Sequence, residues 1–342
     1  MGSDERAPLL RVDGTLIRMR TNAVTYAEYG PPSVLRIESI ELPPLRPDGV
    51  RIRVHAAALN PKDILVRKGK LRWMAGRRLP RRTGYDFAGV VQARGSEVRD
   101  LHEGQRVFGM LNAQTAGAVA EHVDASCTEL APMPDAMTFE EAAAIPLAGQ
   151  TALQALRDLA RLRLGDRVWI HGASGGVGTF AIQVAKALGA HVTTTSSAAN
   201  GSLCRGLGAD ETLDYRVDRP WERVADFDAI FDVFGNRQFS ECCGALRQPG
   251  TFVSTVPSLR ILRDTVRTLV ASRRAAIVLV RSRSTDLAWL AERVEAGELS
   301  PRVDRVFTLD QIEQAHAFIE TKRARGKVVI RIEGSGSSRG SV

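Results

Sequence analysis

The residues of this chain best placed to do chemistry lie in one run, RVWIHGASGGVGTFAIQVAKALGA, residues 167–190. An apolar segment, Arg167–His171, leads into Gly172-Ala173-Ser174-Gly175-Gly176-Val177-Gly178. A stretch with Val177, Phe180, Ala181, Val184, Ala185 and Leu188 at helical spacing follows. Strand, glycine-rich turn and helix in that order make an anion cradle. One glycine permits the tight turn, one lets backbone approach a pyrophosphate, and one lets the helix lie close to the strand. The helix N-terminus adds N–H groups without helical partners and a partial positive charge. Read as GxGxxG, Ala173 stands in the first glycine's place; read as GxxGxxG, the set is Gly172, Gly175 and Gly178. The flanking strand and helix give the pattern its weight. It predicts a dinucleotide loop with contacts from Gly172, Ala173, Ser174, Gly175, Gly176 and Val177.

The next strand, expected over 191–195, bears on which dinucleotide. An acid at its end would hold a ribose 2′-hydroxyl and repel a 2′-phosphate. Between Gly172 and Ala209 there is no Asp or Glu. The strand runs out through Thr194, Thr195, Ser196 and Ser197, followed by Asn200 and Arg205. Hydroxyls, an amide and a guanidinium suit a phosphate. The expectation is NADPH rather than NADH, with Thr195, Ser196, Asn200 and Arg205 as contacts. The plainer reading of the same residues is turn propensity.

The elements that must hold this loop follow from patterning. Helices are expected over 139–145 and 151–160, and strands over 191–195, 229–233 and 251–256. Strands alternating with helices imply a parallel sheet with crossover helices, an α/β fold. The first 130 residues or so read as short strands broken by Gly and Pro, such as 50–56, 88–92 and 118–123, an irregular β-domain with sparse helical signals. Strand character returns over 327–332. Residues 1–18 look like a loose leader, and 333–342, rich in Gly and Ser, like a flexible tail. At 342 residues, two domains are the natural expectation.

Composition narrows the class. An apolar share of 44% and a charged share of 25% are ordinary for a globular protein and argue against disorder. No apolar run is long enough for a membrane span, and the N-terminus lacks the core of a signal peptide. Cys127, Cys204, Cys242 and Cys243 form no CxxC pair, which fits a reduced, cytoplasmic protein. The net charge of +8 is concentrated in residues 67–82, with eight bases and no acid, and 260–283, with seven arginines and one acid. Such faces suit nucleic acid, an acidic carrier protein or a phosphorylated ligand. The plainer reading, and the preferred one, is a solvated arginine-rich surface; neither stretch interleaves the aromatics of a base-stacking platform.

Five stretches in order, AALNPKDILVRKG (57–69), TGYDFAGVV (83–91), GDRVWIHGASGGVG (165–178), GADETLDY (208–215) and ARGKVVIRI (324–332), make the chain resemble the medium-chain dehydrogenase/reductase superfamily, in its zinc-independent quinone oxidoreductase branch. The resemblance spans about residues 21–332. It implies a Rossmann doubly wound parallel sheet, over 139–283, inserted into a GroES-like β-rich catalytic domain built from 19–138 and 284–332, with the active site in the cleft. It also bears on metal. Where zinc-dependent relatives carry a Cys and a His, this chain has Asn60 and Tyr85, and Gln150 stands near a third ligand position. The six histidines show no ligand spacing, so no metal is expected.

Without a metal, hydrogen-bond donors must stabilise the charge that develops on a substrate oxygen. The resemblance makes Asn60 the leading donor, against the alternative that it caps the turn before Pro61. Tyr85 is a possible proton donor, with a packed core tyrosine the simpler reading. Lys62 either takes part or faces solvent, and Asp63 matches a position that orients the loop. It further implies cofactor contacts from Thr151, Tyr215, Phe234, Gly235 and Val256, and from Lys327 reaching over from the other domain. The preferred function is reduction of a quinone or α,β-unsaturated carbonyl by NADPH. One alternative is a biosynthetic enoyl reductase or reductive cyclase acting on an acyl-carrier- or CoA-bound substrate; another is a non-catalytic nucleotide- or RNA-binding protein. A homodimer is the expected assembly.

Overall fold

The computed structural model describes residues 9–12, 15–72, 78–112 and 116–332. It divides into two compact units. One takes residues up to Pro146, Ser282–Ala288 and Val303 onward; the other takes Leu147–Arg281 and Trp289–Arg302.

The second unit is built on six strands, the central ones buried along nearly their whole length, as strands covered on both faces are. They are β11 (Arg167–His171), β12 (His191–Ser196), β13 (Glu211–Asp214), β14 (Phe227–Asp232), β15 (Leu246–Ser254) and β16 (Arg273–Ile277). Their order is β13-β12-β11-β14-β15-β16, and every neighbouring pair is parallel. The order reverses between β11 and β14, and the crevice at the carboxyl ends of those strands is where such sheets bind ligands. Trp169 anchors one side of the sheet, packed with Phe227, Ile230, Phe252 and Cys242. Helix Gly176–Ala187 buries Phe180, Ala181, Val184 and Ala185. From the same helix, Gln183 donates to the Ser300 carbonyl at 3.1 Å and accepts from its N–H at 2.7 Å, tying the returning segment into this unit.

The first unit is centred on the eleven-residue β5 (Gly49–Leu59). It pairs antiparallel with β7 (Asp86–Arg94), β9 (His122–Ser126) and β18 (Lys327–Arg331), so strands far apart in sequence lie side by side. β8 (Arg106–Met110), β10 (Leu130–Pro132) and β17 (Val303–Thr308) complete that sheet.

Three details depart from the sequence reading. Helix Pro61–Arg67 lies inside the region where helical signals are sparse; its seven residues are too few to show a period. The expected helix 151–160 ends as an α-helix at Leu153 and continues as a wider turn over Gln154–Leu159. The strand expected over 118–123 starts only at His122, Ala120 forming an isolated bridge to Ala23. Within the expected leader, Leu9–Val12 and Thr15–Arg18 pair antiparallel; residues 1–8 and 13–14, and the tail 333–342, lie outside the described residues.

Candidate active site

In the Rossmann-type unit, β11 ends at His171 and the chain turns at Gly172, whose φ of +80° favours glycine. Gly172 and Ala173 donate their N–H groups to the Thr195 carbonyl at 3.1 and 3.3 Å, which locks the loop to β12. A Cβ on Gly178 would lie 2.4 Å from the Gly172 carbonyl oxygen, so helix and turn meet as closely as backbones can. Gly175 is different. A Cβ there would meet only the Gly172 oxygen, at 3.7 Å. The protein itself does not require glycine at 175, whereas a pyrophosphate brought against the backbone would. Ser174, Gly176 and Val177 complete the cradle, Gly175 capping the helix that begins at Gly176. The Ser174 hydroxyl accepts from Asn200 Nδ2 at 2.9 Å, which leaves the buried Asn200 Oδ1 without a partner among the described residues.

The other residues expected after β12 are placed unequally. Thr195 is fully buried. Trp169 Nε1–H can only donate, so the Thr195 hydroxyl accepts it at 3.0 Å and donates its own O–H to His171 Nδ1 at 2.7 Å. His171 Nε2–H then donates to Asn236 Oδ1 at 2.8 Å. Thr195 therefore holds the fold of the crevice, its hydroxyl engaged inside the sheet with Trp169 and His171. Burial, followed by the Arg237 charge, pushes the His171 pKa down to about 4, which keeps the ring neutral and the relay in one direction. Ser196 donates to the Ser197 carbonyl at 3.1 Å. Arg205 reaches Thr212 Oγ1 at 2.6 Å on an exposed surface, and Tyr215 lies half open nearby. The acid nearest the end of β12 is Asp214, opposite Ser196, and its Oδ1 accepts the Arg216 N–H at 3.0 Å.

The loops after β11, β14 and β15 converge. A Cβ on Gly172 would be 3.1 Å from Phe234 Cβ, and one on Gly235 would be 2.1 Å from Val256 Cγ2. Phe234 and Val256 remain exposed at this edge. Asp232, which sequence reasoning passed over, holds the turn by accepting the N–H groups of Gly235 at 2.9 Å and Arg237 at 2.8 Å. Burial raises its pKa to about 6. The signal for it was an acid closing a buried apolar strand. Thr151 lies buried in helix Pro146–Leu153 and donates to the Leu147 carbonyl at 2.6 Å.

In the other unit, three buried groups meet at the end of β5. Asn60 follows the strand, Asp86 opens β7 opposite Ala58, and Lys327 opens β18, one residue before the Val328–Leu59 pair. Asn60 Nδ2 donates to Asp86 Oδ2 at 3.0 Å; Lys327 Nζ donates to the same oxygen at 2.9 Å and to Asn60 Oδ1. Lys327 is thus hydrogen-bonded within its own unit, to Asn60 and Asp86. Asp63 accepts from the Asn60 N–H at 2.8 Å and the Gly84 N–H at 3.0 Å, joining the two loops. Burial pushes its pKa up to about 6. The Lys62 ammonium lies 3.7 Å from the centroid of the Tyr85 ring. Burial lowers its pKa, against the charges of Asp63 and Asp86. Tyr85 is packed in the core, and burial raises its hydroxyl pKa. Asn60 and Asp63 are therefore seen to shape the loop, the Lys62 ammonium lies over the Tyr85 ring, and Asp86 is the member sequence reasoning missed. Among the described residues, no group of three or more His, Cys, Asp or Glu side chains is placed to hold a metal.

Comparison with known proteins places this geometry among relatives. Residues 46–148 match the alcohol dehydrogenase GroES-like domain, and 207–330 match a zinc-binding dehydrogenase domain. The chain is 33% identical to a 2-methylene-furan-3-one reductase of Solanum lycopersicum, over 90% of its own length and 78% of the relative's. It is 32% identical to a chloroplastic NADPH-dependent alkenal/one oxidoreductase of Arabidopsis thaliana, with the same coverage, 90% and 78%. Its fold superposes on a quinone oxidoreductase from Coxiella burnetii with a TM-score of 0.84 and 32% identity, covering 92% of this chain and 100% of the other.

Proposed function

The chain belongs to the medium-chain dehydrogenase/reductase superfamily of oxidoreductases, in its quinone oxidoreductase-like branch, and on that premise we propose that it uses NADPH to reduce a quinone or an α,β-unsaturated carbonyl compound. The observation that carries the reading is the cradle at the switch point. Gly175 is open where a pyrophosphate would press on the backbone, and the segment after β12 offers Ser196, Asn200 and Arg205 with no acid before Asp210. Two relatives act, by name, on enone-type substrates, and one of them is named for NADPH.

When bound, the dinucleotide supplies a hydride. The residues named above do the rest. Gly172 to Val177 and the helix N-terminus would hold the pyrophosphate; Ser196, Asn200, Arg205 and Tyr215 would take the 2′-phosphate. Phe234, Gly235, Val256 and Thr151 would hold the nicotinamide half. Charge that builds on the substrate oxygen requires fixed N–H donors. Lys62 supplies a cationic one, and Asn60 has a second amide N–H beyond the one given to Asp86. The Asp86–Lys327 pair fixes the amide's orientation from behind.

The test is NADPH oxidation, against NADH, over a 1,4-quinone, a linear enone, an enal, an enoyl thioester and a simple ketone. Turnover of quinone or enone with NADPH is the expected result. Turnover of the thioester alone would move the assignment to a carrier-bound substrate, and a preference for NADH would overturn the phosphate-binding role of Ser196, Asn200 and Arg205.

A further inference from the structure

Residues 62–85 hold nine bases and a single acid, Asp63. Arg67 and Lys68 are paired with Glu320, and Lys70, Arg72 and Arg78 are exposed. Lys62 and Arg81 differ from all of these. Both are half-buried, and each meets one of two buried tyrosines, Tyr26 and Tyr85. The Lys62 ammonium lies 3.7 Å from the Tyr85 ring centroid and makes no hydrogen bond or ion pair among the described residues. Arg81 stands opposite Tyr26, where strand Arg20–Tyr26 pairs with Arg81–Arg82, and donates to the Tyr26 hydroxyl. Its charge also acts on Tyr85, so both cations bear on the same pair of rings.

The neighbouring groups bring little negative charge to balance them. Burial pushes the Tyr26 hydroxyl up to about 12 and raises that of Tyr85 as well, so both stay neutral. The Asp63 oxygens take the backbone N–H groups of Asn60 and Gly84. Asp86 is held by Asn60 and Lys327. Cations placed this way suit an anion, whose desolvation is offset only by pairing. Half-burial also limits its size. A polyanion such as RNA would find Lys70, Arg72 and Arg78 on open surface but not this pair. A guanidinium receives a planar carboxylate through two parallel N–H donors. With Lys62 given to the substrate's carbonyl oxygen, the carboxylate falls to Arg81.

We propose, on the basis of the reductase reading above, that the substrate is an enone bearing a carboxylate, of the 4-oxo-2-enoate type, with Lys62 at its ketone oxygen and Arg81 at its carboxylate. Hydride from NADPH adds to the carbon β to the ketone. A solvent proton adds to the α carbon, and the products are the saturated 4-oxo acid and NADP+.

The test compares 4-oxopent-2-enoate with its methyl ester, using the full chain and NADPH. For the acid, kcat/KM should exceed that for the ester at least about tenfold, although the ester is the more electrophilic alkene. R81Q should cut this acid-to-ester ratio at least about tenfold, and R81K should restore part of it. Where R81Q fails to fold, judged by its melting transition, R81K against the unsubstituted protein carries the comparison. An ester used as well as the acid overturns the proposal and leaves the reductase reading standing. A ratio indifferent to substitution of Arg81 overturns it too. If acid, ester, quinone and neutral enone are all refused, the reductase reading falls and the proposal with it. An enoyl-CoA favoured over its uncharged N-acetylcysteamine thioester, with no preference for acid over ester, overturns it in favour of a phosphorylated carrier.

Discussion

At the scale of single residues, the two side chains with the largest leverage are His171 and Lys62. His171 is neutral in the fold, with a pKa near 4 against an ordinary 6.5. The unfolded chain therefore takes up a proton below pH 6.5 that the folded chain refuses. Stability from this group is complete above 6.5 and is lost as pH falls towards 4, at ~1.4 kcal/mol per unit and about 3 kcal/mol in all. Urea midpoints between pH 7 and 4.5 should show that slope, and His171→Gln should lack its share of it. Lys62 is expected to act as a cationic donor, so Lys62→Met should lower kcat by about 10²–10³-fold while leaving the NADPH dissociation constant unchanged. Tyr85→Phe, by contrast, should keep most of the activity. Because burial lowers the Lys62 pKa, the alkaline limb of the kcat profile should fall below the ordinary lysine value of 10.5, and the limb should vanish in Lys62→Met.

At the scale of elements, the strand–turn–helix around Gly172 makes a prediction that separates fold from ligand. Gly178→Ala puts a Cβ 2.4 Å from a backbone oxygen and should cost about 1–3 kcal/mol of stability. Gly175→Ala has room and should leave the melting temperature alone, yet raise the NADPH dissociation constant at least about tenfold. Calorimetry and a fluorescence titration on the same two variants check both. The Lys327–Asp86 pair gives a second prediction. Lys327→Met strands a buried carboxylate and should cost about 3–5 kcal/mol, much of it recovered in Lys327→Met/Asp86→Leu.

These elements also show what a sequence reveals. The glycine loop and the β11–β16 alternation were legible because they depend on neighbours in the chain: apolar runs, a helical period, small residues at a turn. The partners of Lys327 were not legible, and Asp86 and Asp232 were overlooked, because their meaning arises from strand register. Only the pairing of β5 with both β7 and β18 sets residues 60, 86 and 327 together. The partners of Thr195 were hidden for a related reason: a hydroxyl at a strand end can face the crevice or the sheet, and here it meets Trp169 and His171.

At the scale of the whole molecule, cofactor binding should be felt by one unit directly. A ligand at 100 times its dissociation constant adds about 2.7 kcal/mol to the state that binds it. Differential scanning calorimetry with NADPH should therefore raise the transition of the unit containing Leu147–Arg281 more than the other, and NADH at the same concentration should raise it less. A single shifted transition would mean that the two units unfold as one. The placement of β18 beside β5 has a further consequence, for biosynthesis. The insertion domain has all its strands once Ile277 is outside the ribosome. The domain around it waits for the last strand before β5 has its neighbour and Asp86 its counterion. A chain stalled short of Lys327 would thus carry one finished domain and one with an open strand edge and a bare buried acid, a form that chaperones and proteases can tell apart from the complete protein.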